Sequence, residues 1–156
     1  MKEHKYTTRI CWVGNEGTGT SHYRSYNRNH DIEVEGKAHK ILGSSDPSFM
    51  GDKTRYNPEE MFLSSLSSCH MLWFLHLCSS NGVVITDYTD QAEGIMVENS
   101  GGSGHFTKVT LHPKVVVQQK EMIEKASELH EEANQMCFIA NSCNFPIDHN
   151  PTTVSS

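Results

Sequence analysis

Asn57-Pro58-Glu59-Glu60-Met61-Phe62-Leu63-Ser64-Ser65-Leu66-Ser67-Ser68-Cys69-His70 is the stretch on which the reading of this chain turns. Asn57 is suited to cap a helix, Pro58 to occupy its first position, and Glu59 and Glu60 to face the positive N-terminal end. The helix is predicted to run to about Ser80, with Asn81-Gly82 as its stop. From Met61 to Cys78 it carries no formally charged residue. Its apolar residues fall on every face, which predicts burial all round. An uncharged run of this length reaches the threshold for a membrane span. Four serines and two histidines dilute it, however, and strand-like sequence follows at once. The serines would let another helix approach closely. In the middle of the run stands a thiol, Cys69.

The rest of the composition is that of an ordinary soluble domain. The chain has 156 residues, 36% hydrophobic and 21% charged, enough for one domain with a core over 1–156. The net charge of −6 argues against nucleic acid or an anionic membrane as partner, since both call for a basic face. Met1 to Thr8 is polar and has no apolar signal core, so the cytoplasm is the expected compartment. The five cysteines, Cys11, Cys69, Cys78, Cys137 and Cys143, form an odd set without a CxxC pair. That favours redox chemistry over a disulfide framework.

Around the central helix the pattern is α+β. Thr7 to Val13 reads as a first strand. Ile32 to Gly36 alternates as a second, with continuation towards Leu42. Gly43 to Tyr56 reads as a loop. Val83 to Glu98 and His105 to Val117 read as a hairpin about Asn99 to Gly104, with Pro113 making the second an edge or bulged strand. A second helix is predicted over about Gln118 to Met136. Its apolar positions are Met122, Ala126, Leu129, Ala133 and Met136, and its acids lie on the wet side. Asn144 to Ile147 returns towards the sheet, and the tail after Asn150 is expected to be loose. The expected architecture is an antiparallel sheet packed on two long helices, with spare apolar surface that implies self-association.

Two segments, NPEEMFLSSLSSCHMLWFLHLCSSNGV (Asn57 to Val83) and HEEANQMCFIANSCNFPI (His130 to Ile147), resemble the family of osmotically inducible protein C (OsmC) and organic hydroperoxide resistance protein (Ohr). The strand–helix–hairpin–helix order also fits, so the likeness covers nearly the whole chain. The specific element is NPEE with a cysteine ten positions after its first Glu. Cys137-Phe138-Ile139-Ala140 departs from the CPVS of the better-known members, which marks a branch distinct from both namesakes. The resemblance implies an intertwined homodimer with its sites at the subunit interface. It also implies thiol-dependent reduction of organic hydroperoxides. In that alignment Cys69 matches the attacking cysteine, Cys137 the resolving one and Glu59 the family glutamate. Arg28 is the best match for the family arginine, with Arg24 and Arg55 as rivals. No cofactor is implied, only an external dithiol reductant, such as a dihydrolipoyl-type one.

The chemistry of these residue types is consistent with those roles. A thiolate attacks peroxide oxygen, and an unperturbed cysteine near pKa ~8.5 is mostly protonated at neutral pH. Cys69 lies deep inside its helix, so the helix dipole gives little help and an external cation is called for. Arg28 would supply it, oriented by Glu59 through a bidentate pair. Ten residues of straight helix span about 15 Å, so Glu59 cannot reach Cys69 of its own helix. A partner subunit or a kink would have to bring the two together. The expected cycle is attack by Cys69, departure of an alcohol, condensation of the sulfenic acid with Cys137 and reduction by a dithiol. Met61, Phe62, Leu66, Met71 and Trp73 offer nearby apolar surface for an alkyl or lipid chain.

Plainer readings stand beside these. Cys11 and Cys78 are expected to be core residues, and Cys143 is close enough to Cys137 to compete as resolver. Glu59 reads equally as a first-turn helix acid and Arg28 as a turn residue. His70 and His76 are six apart, not the spacing of a helical zinc pair, and neither HExxH nor CxxC occurs. Gly101 to Gly104 reads as a hairpin turn, not a nucleotide loop. Two rival functions remain: a non-catalytic redox sensor or ligand-binding protein on the same fold, and acyl transfer through Cys69. The second lacks an evident Cys–His–Asn/Asp constellation.

Overall fold

Helix α1 spans Pro58–Ser80, the bounds its end signals predict. Its start is a reciprocal capping box. The Asn57 side-chain oxygen accepts the Glu60 N–H at 2.8 Å, and the Glu60 carboxylate accepts the Asn57 N–H at 3.0 Å. The first-turn acid engaged in the cap is therefore Glu60. Asn57→Ala is expected to cost about 1 kcal/mol, seen as a lower urea midpoint. An unchanged midpoint would show that the box contributes nothing.

The computed structural model describes residues 1–156 and divides into two compact units, Met1–Met61 and Phe62–Ser156, with the boundary in the first turn of α1. In the first unit, β1 (Arg9–Trp12), β2 (His30–Glu33) and β3 (Ile41–Gly43) form an antiparallel sheet in that order. The strand expected to continue from Ile32 to Leu42 is interrupted between β2 and β3, where Gly36 adopts φ +80°.

In the second unit the predicted hairpin is present, but each of its arms breaks into two strands. These are β4 (Ile85–Asp90), β5 (Glu93–Glu98), β6 (Gly104–Leu111) and β7 (Pro113–Val117). The tip closes through Asn99 N–H to Ser103 O at 2.7 Å and Gly102 N–H to Asn99 O at 2.9 Å, with Gly102 at φ +82°. The break falls at Asp90 and His112. One carboxylate oxygen of Asp90 accepts the His112 N–H at 2.6 Å, and the other accepts the Ser67 hydroxyl of α1 at 2.5 Å. Asp90 thus ties the corner to the helix.

Three expectations are corrected here. The tail after Asn150 is not loose: Thr152–Ser155 forms β9, parallel to β7. Ile147–His149 forms β8, parallel to β6. The sheets are therefore β4-β7-β9 and β5-β6-β8, each mixed rather than purely antiparallel. β7 is consequently central, not an edge. Pro113 is tolerated because it opens the strand, where a missing N–H costs least.

Helix α2 covers Ile123–Met136, preceded by a 3-10 turn over Lys120–Met122. It buries Ala126, Leu129, His130 and Ala133 on one face. With Phe74, Leu77, Cys78, Val83, Val115 and Val117, the three apolar residues Ala126, Leu129 and Ala133 form the main core, and Leu66, Val109 and Leu111 form a second one. α1 is long and apolar enough to pass as a membrane span, yet Leu66, His70, Phe74, Leu77 and Cys78 are buried in these cores. The expectation of burial on every face is corrected. Phe62, Leu63, Trp73 and Leu75 are half-buried against these cores, and Leu72 stays 63% exposed.

Candidate active site

Cys69 and Cys137 are brought together. Cys69 is half-buried on α1, one residue ahead of the buried stripe. Cys137 is the residue that ends α2; it leaves helical geometry at φ −69°, ψ 110° and is 1% exposed. The Cys69 side chain lies close enough to perturb it. Burial, and then the neighbouring Cys69 side chain, push the Cys137 thiol up to about 11, against a lowering contribution from the Ala140 N–H, which points at its sulfur from 3.4 Å. Cys137 therefore stays protonated at neutral pH, which is not the state of a first nucleophile.

The half-buried Cys69 opens on a groove of about 390 Å³ lined by Ser65, Ser68, Leu72, Trp73, Phe138 and Ile139. Trp73 and Phe138 meet edge to face at 5.7 Å, and Phe138 is 69% exposed. No cationic side chain lines this groove. Of the residues expected to supply apolar surface, only Trp73 lies in it. Leu66 is core, Phe62 packs against the second core, and Met71 faces a separate groove with Asp90.

The other cysteines are accounted for. Cys78 is buried, and burial pushes its thiol up to about 12. Cys143 is half-buried and donates to the Ile139 carbonyl at 3.3 Å; burial raises it as well. Cys11, expected in the core, is only half-buried on β1.

Arg28 and Glu59 belong to the first unit. The Arg28 guanidinium donates to the carbonyls of Tyr26 at 2.5 Å and Tyr23 at 2.8 Å and lies over both tyrosine rings, 4.1 and 4.5 Å from their centroids. Arg55 pairs with Asp31 at 3.7 Å and Asp52 at 3.9 Å. Arg24 is exposed. Glu59 is half-buried and outside the chain's ion pairs, free of the capping role taken by Glu60.

Sequence reasoning missed a buried histidine cluster. His70 Nε2 and His130 Nδ1 share a 3.0 Å hydrogen bond, and Phe74 stacks on the His130 ring at 3.9 Å. His149 of β8 lies 5.5 Å from the His70 ring, and its Nε2 stands 3.6 Å from Glu131. His70 follows α1's i, i+4 stripe and His130 the apolar face of α2, so the register of both helices was the available signal. Burial, then His149, depress His70 to about 4 against a raising effect of Asp90. Burial, then His70 and His149, depress His130 to about 3. Both are neutral at physiological pH. The unfolded chain binds protons near pH 6.5 and the folded one does not, so stability is full above that value and falls on acidification towards pH 4. His70 alone accounts for roughly 3 kcal/mol over that window. Urea unfolding at pH 7 and pH 4.5 should show the loss, and equal midpoints would contradict it.

The comparisons with known proteins agree on one family. The OsmC-like protein model matches residues 51–151. An OsmC-like protein of unknown function from Vibrio cholerae is 31% identical over 96% of this chain and all of its own, with a TM-score of 0.85. An OsmC-like protein from Mycoplasma pneumoniae shares the fold at 17% identity and TM-score 0.74, over 98% of this chain and 99% of its own. An organic hydroperoxide resistance protein from Elizabethkingia anophelis does so at 19% identity and TM-score 0.68, over 99% and 100%. No curated protein matches the chain. The chain belongs to the OsmC-like protein family.

Proposed function

We propose that the chain is a thiol-dependent peroxidase that reduces organic hydroperoxides through Cys69 and a Cys69–Cys137 disulfide. The observation that carries this reading is the neighbouring thiol pair, with one sulfur half-buried at an apolar groove and the other buried and protonated. Cys69 thiolate takes the distal oxygen of ROOH and the O–O bond breaks. The alkoxide leaves as ROH with a proton, and Cys69 becomes a sulfenic acid. The Cys137 sulfur then displaces the hydroxyl, which departs as water with the Cys137 proton. A dithiol of the dihydrolipoyl type restores both thiols by exchange.

The groove's alkyl and aromatic walls suit an apolar R group over hydrogen peroxide. No cationic side chain lines the groove, and the proposed chemistry calls for a guanidinium beside the thiol. Arg28 is the leading choice and Arg24 and Arg55 the rivals, with Glu59 as its orienting partner. An intertwined homodimer fits the exposed Leu72 and Phe138 and would let Glu59 of one subunit serve Cys69 of the other. No metal or other cofactor, nucleic acid or membrane takes part. The place of action is the cytoplasm, where dithiols are kept reduced.

The departure at Phe138-Ile139-Ala140 and the local engagement of Arg28 favour a second reading, a redox sensor that oxidises once. Hydroperoxide consumption under excess dihydrolipoamide separates the two. Many equivalents consumed per protein supports the enzyme, whereas one equivalent per reduction cycle supports the sensor.

A further inference from the structure

The histidine pair between α1 and α2 has no place in the chemistry above. Neither ring lines the groove at Cys69. No group of three His, Cys, Asp or Glu side chains is arranged to hold a metal ion. The pair is also an unfavourable way to fill a core. His70 is 1% and His130 0% exposed, and their outer nitrogens, His70 Nδ1 and His130 Nε2, have no hydrogen-bond partner in the chain. Two apolar residues of similar volume would avoid that desolvation. The pair is therefore better explained by what a directional bond adds than by stability.

That direction is well defined. The two rings are coplanar within 4°, with centroids 5.3 Å apart and nitrogens 3.0 Å apart. The bond therefore runs in the plane of both rings, along a lone pair. Phe74, one turn beyond His70 on α1, stacks on the His130 face within 8° of parallel. One turn of α1 grips the His130 edge and the next grips its face. Together they fix both rotation and sliding of α2 against α1, which apolar contacts alone leave soft. Cys69 immediately precedes His70 in α1, and Cys137 lies seven residues, two turns, beyond His130 at the end of α2. A shift at this crossing is passed to the two sulfurs.

We propose that His70 and His130 are positioning residues whose hydrogen bond sets the Cys69–Cys137 spacing. The kinetic part rests on the peroxidase reading; the thermodynamic part does not. His70→Gln keeps a hydrogen-bonding atom near the Nε2 position, while His70→Leu removes it at similar volume.

The effective concentration of the two thiols is measured as the Cys69–Cys137 disulfide equilibrium in a glutathione redox buffer, without peroxide. His70→Gln should lie within about twofold of the unaltered chain, and His70→Leu should fall by at least about tenfold. In single-turnover oxidation, His70→Leu should form the Cys69 sulfenic acid at the normal rate but close the disulfide about tenfold more slowly. A merely structural role would lower the unfolding midpoint without this split between steps or rescue by glutamine. If His70→Leu fails to fold, His70→Leu/His130→Leu replaces it, since it leaves no buried nitrogen unpaired. A normal effective concentration in the folded leucine variant overturns the proposal. A tenfold loss there, in a chain that does not react with hydroperoxide, would uphold the positioning role and sink the peroxidase reading instead.

Discussion

Cys69→Ser is expected to reduce hydroperoxide consumption to the uncatalysed background. A serine hydroxyl is not ionised near neutral pH, and its oxygen cannot take up a second oxygen as sulfur does in becoming a sulfenic acid. Three of the other four thiols are poor substitutes. Cys137 and Cys78 are buried and pushed up to about 11 and about 12, so neither offers much thiolate. Cys143 donates its proton to the Ile139 carbonyl and is raised by burial. Cys137→Ser should behave differently. It should consume one equivalent and stop with Cys69 as a sulfenic acid that dimedone traps. A peroxide assay and the mass of the trapped protein check both variants. Turnover by Cys69→Ser at the normal rate would remove the assignment of the nucleophile.

Phe74→Ala should cost about 3–5 kcal/mol of stability. The side chain is 0% exposed and sits at the centre of the main core. It also touches Tyr88, with ring centroids 5.8 Å apart, and covers the face of His130. Its removal leaves a cavity beside a buried imidazole whose outer nitrogen already lacks a partner, so the site cannot collapse onto an apolar wall. A loss of that size is a large share of the ~5–15 kcal/mol of a typical domain. Urea unfolding at neutral pH measures it. A change below about 1 kcal/mol would contradict this packing.

α1 and the thiol pair were legible in the sequence because their signals are local or carried by motif. Asn57, Pro58 and Glu60 specify the helix start within one turn, and Cys69 and Cys137 stand in segments with a recognisable pattern. The strand breaks were less legible. Val83 to Glu98 reads as one strand because nothing local announces the corner at Asp90. That corner depends on a carboxylate bonding Ser67 and His112, one of them on another element. β8 and β9 run parallel to β6 and β7, and parallel pairing is set by topology, not by a turn signal. Asn150-Pro151 read as an ending, whereas it lies beside the His112-Pro113 break, where the Asn150 N–H bonds to the Leu111 carbonyl. The histidine pair was hidden for a similar reason. Each ring lies on a helical face predicted to be buried, but only packing brings residues 60 positions apart into one hydrogen bond.

Peptide mapping after one equivalent of an organic hydroperoxide is added to the fully reduced protein bears on the thiol pair itself. A Cys69–Cys137 cross-linked peptide is expected, with Cys11, Cys78 and Cys143 still open to alkylation after denaturation. Cys69 oxidised to sulfinic acid beside a free Cys137, or a bridge through Cys143, would contradict it.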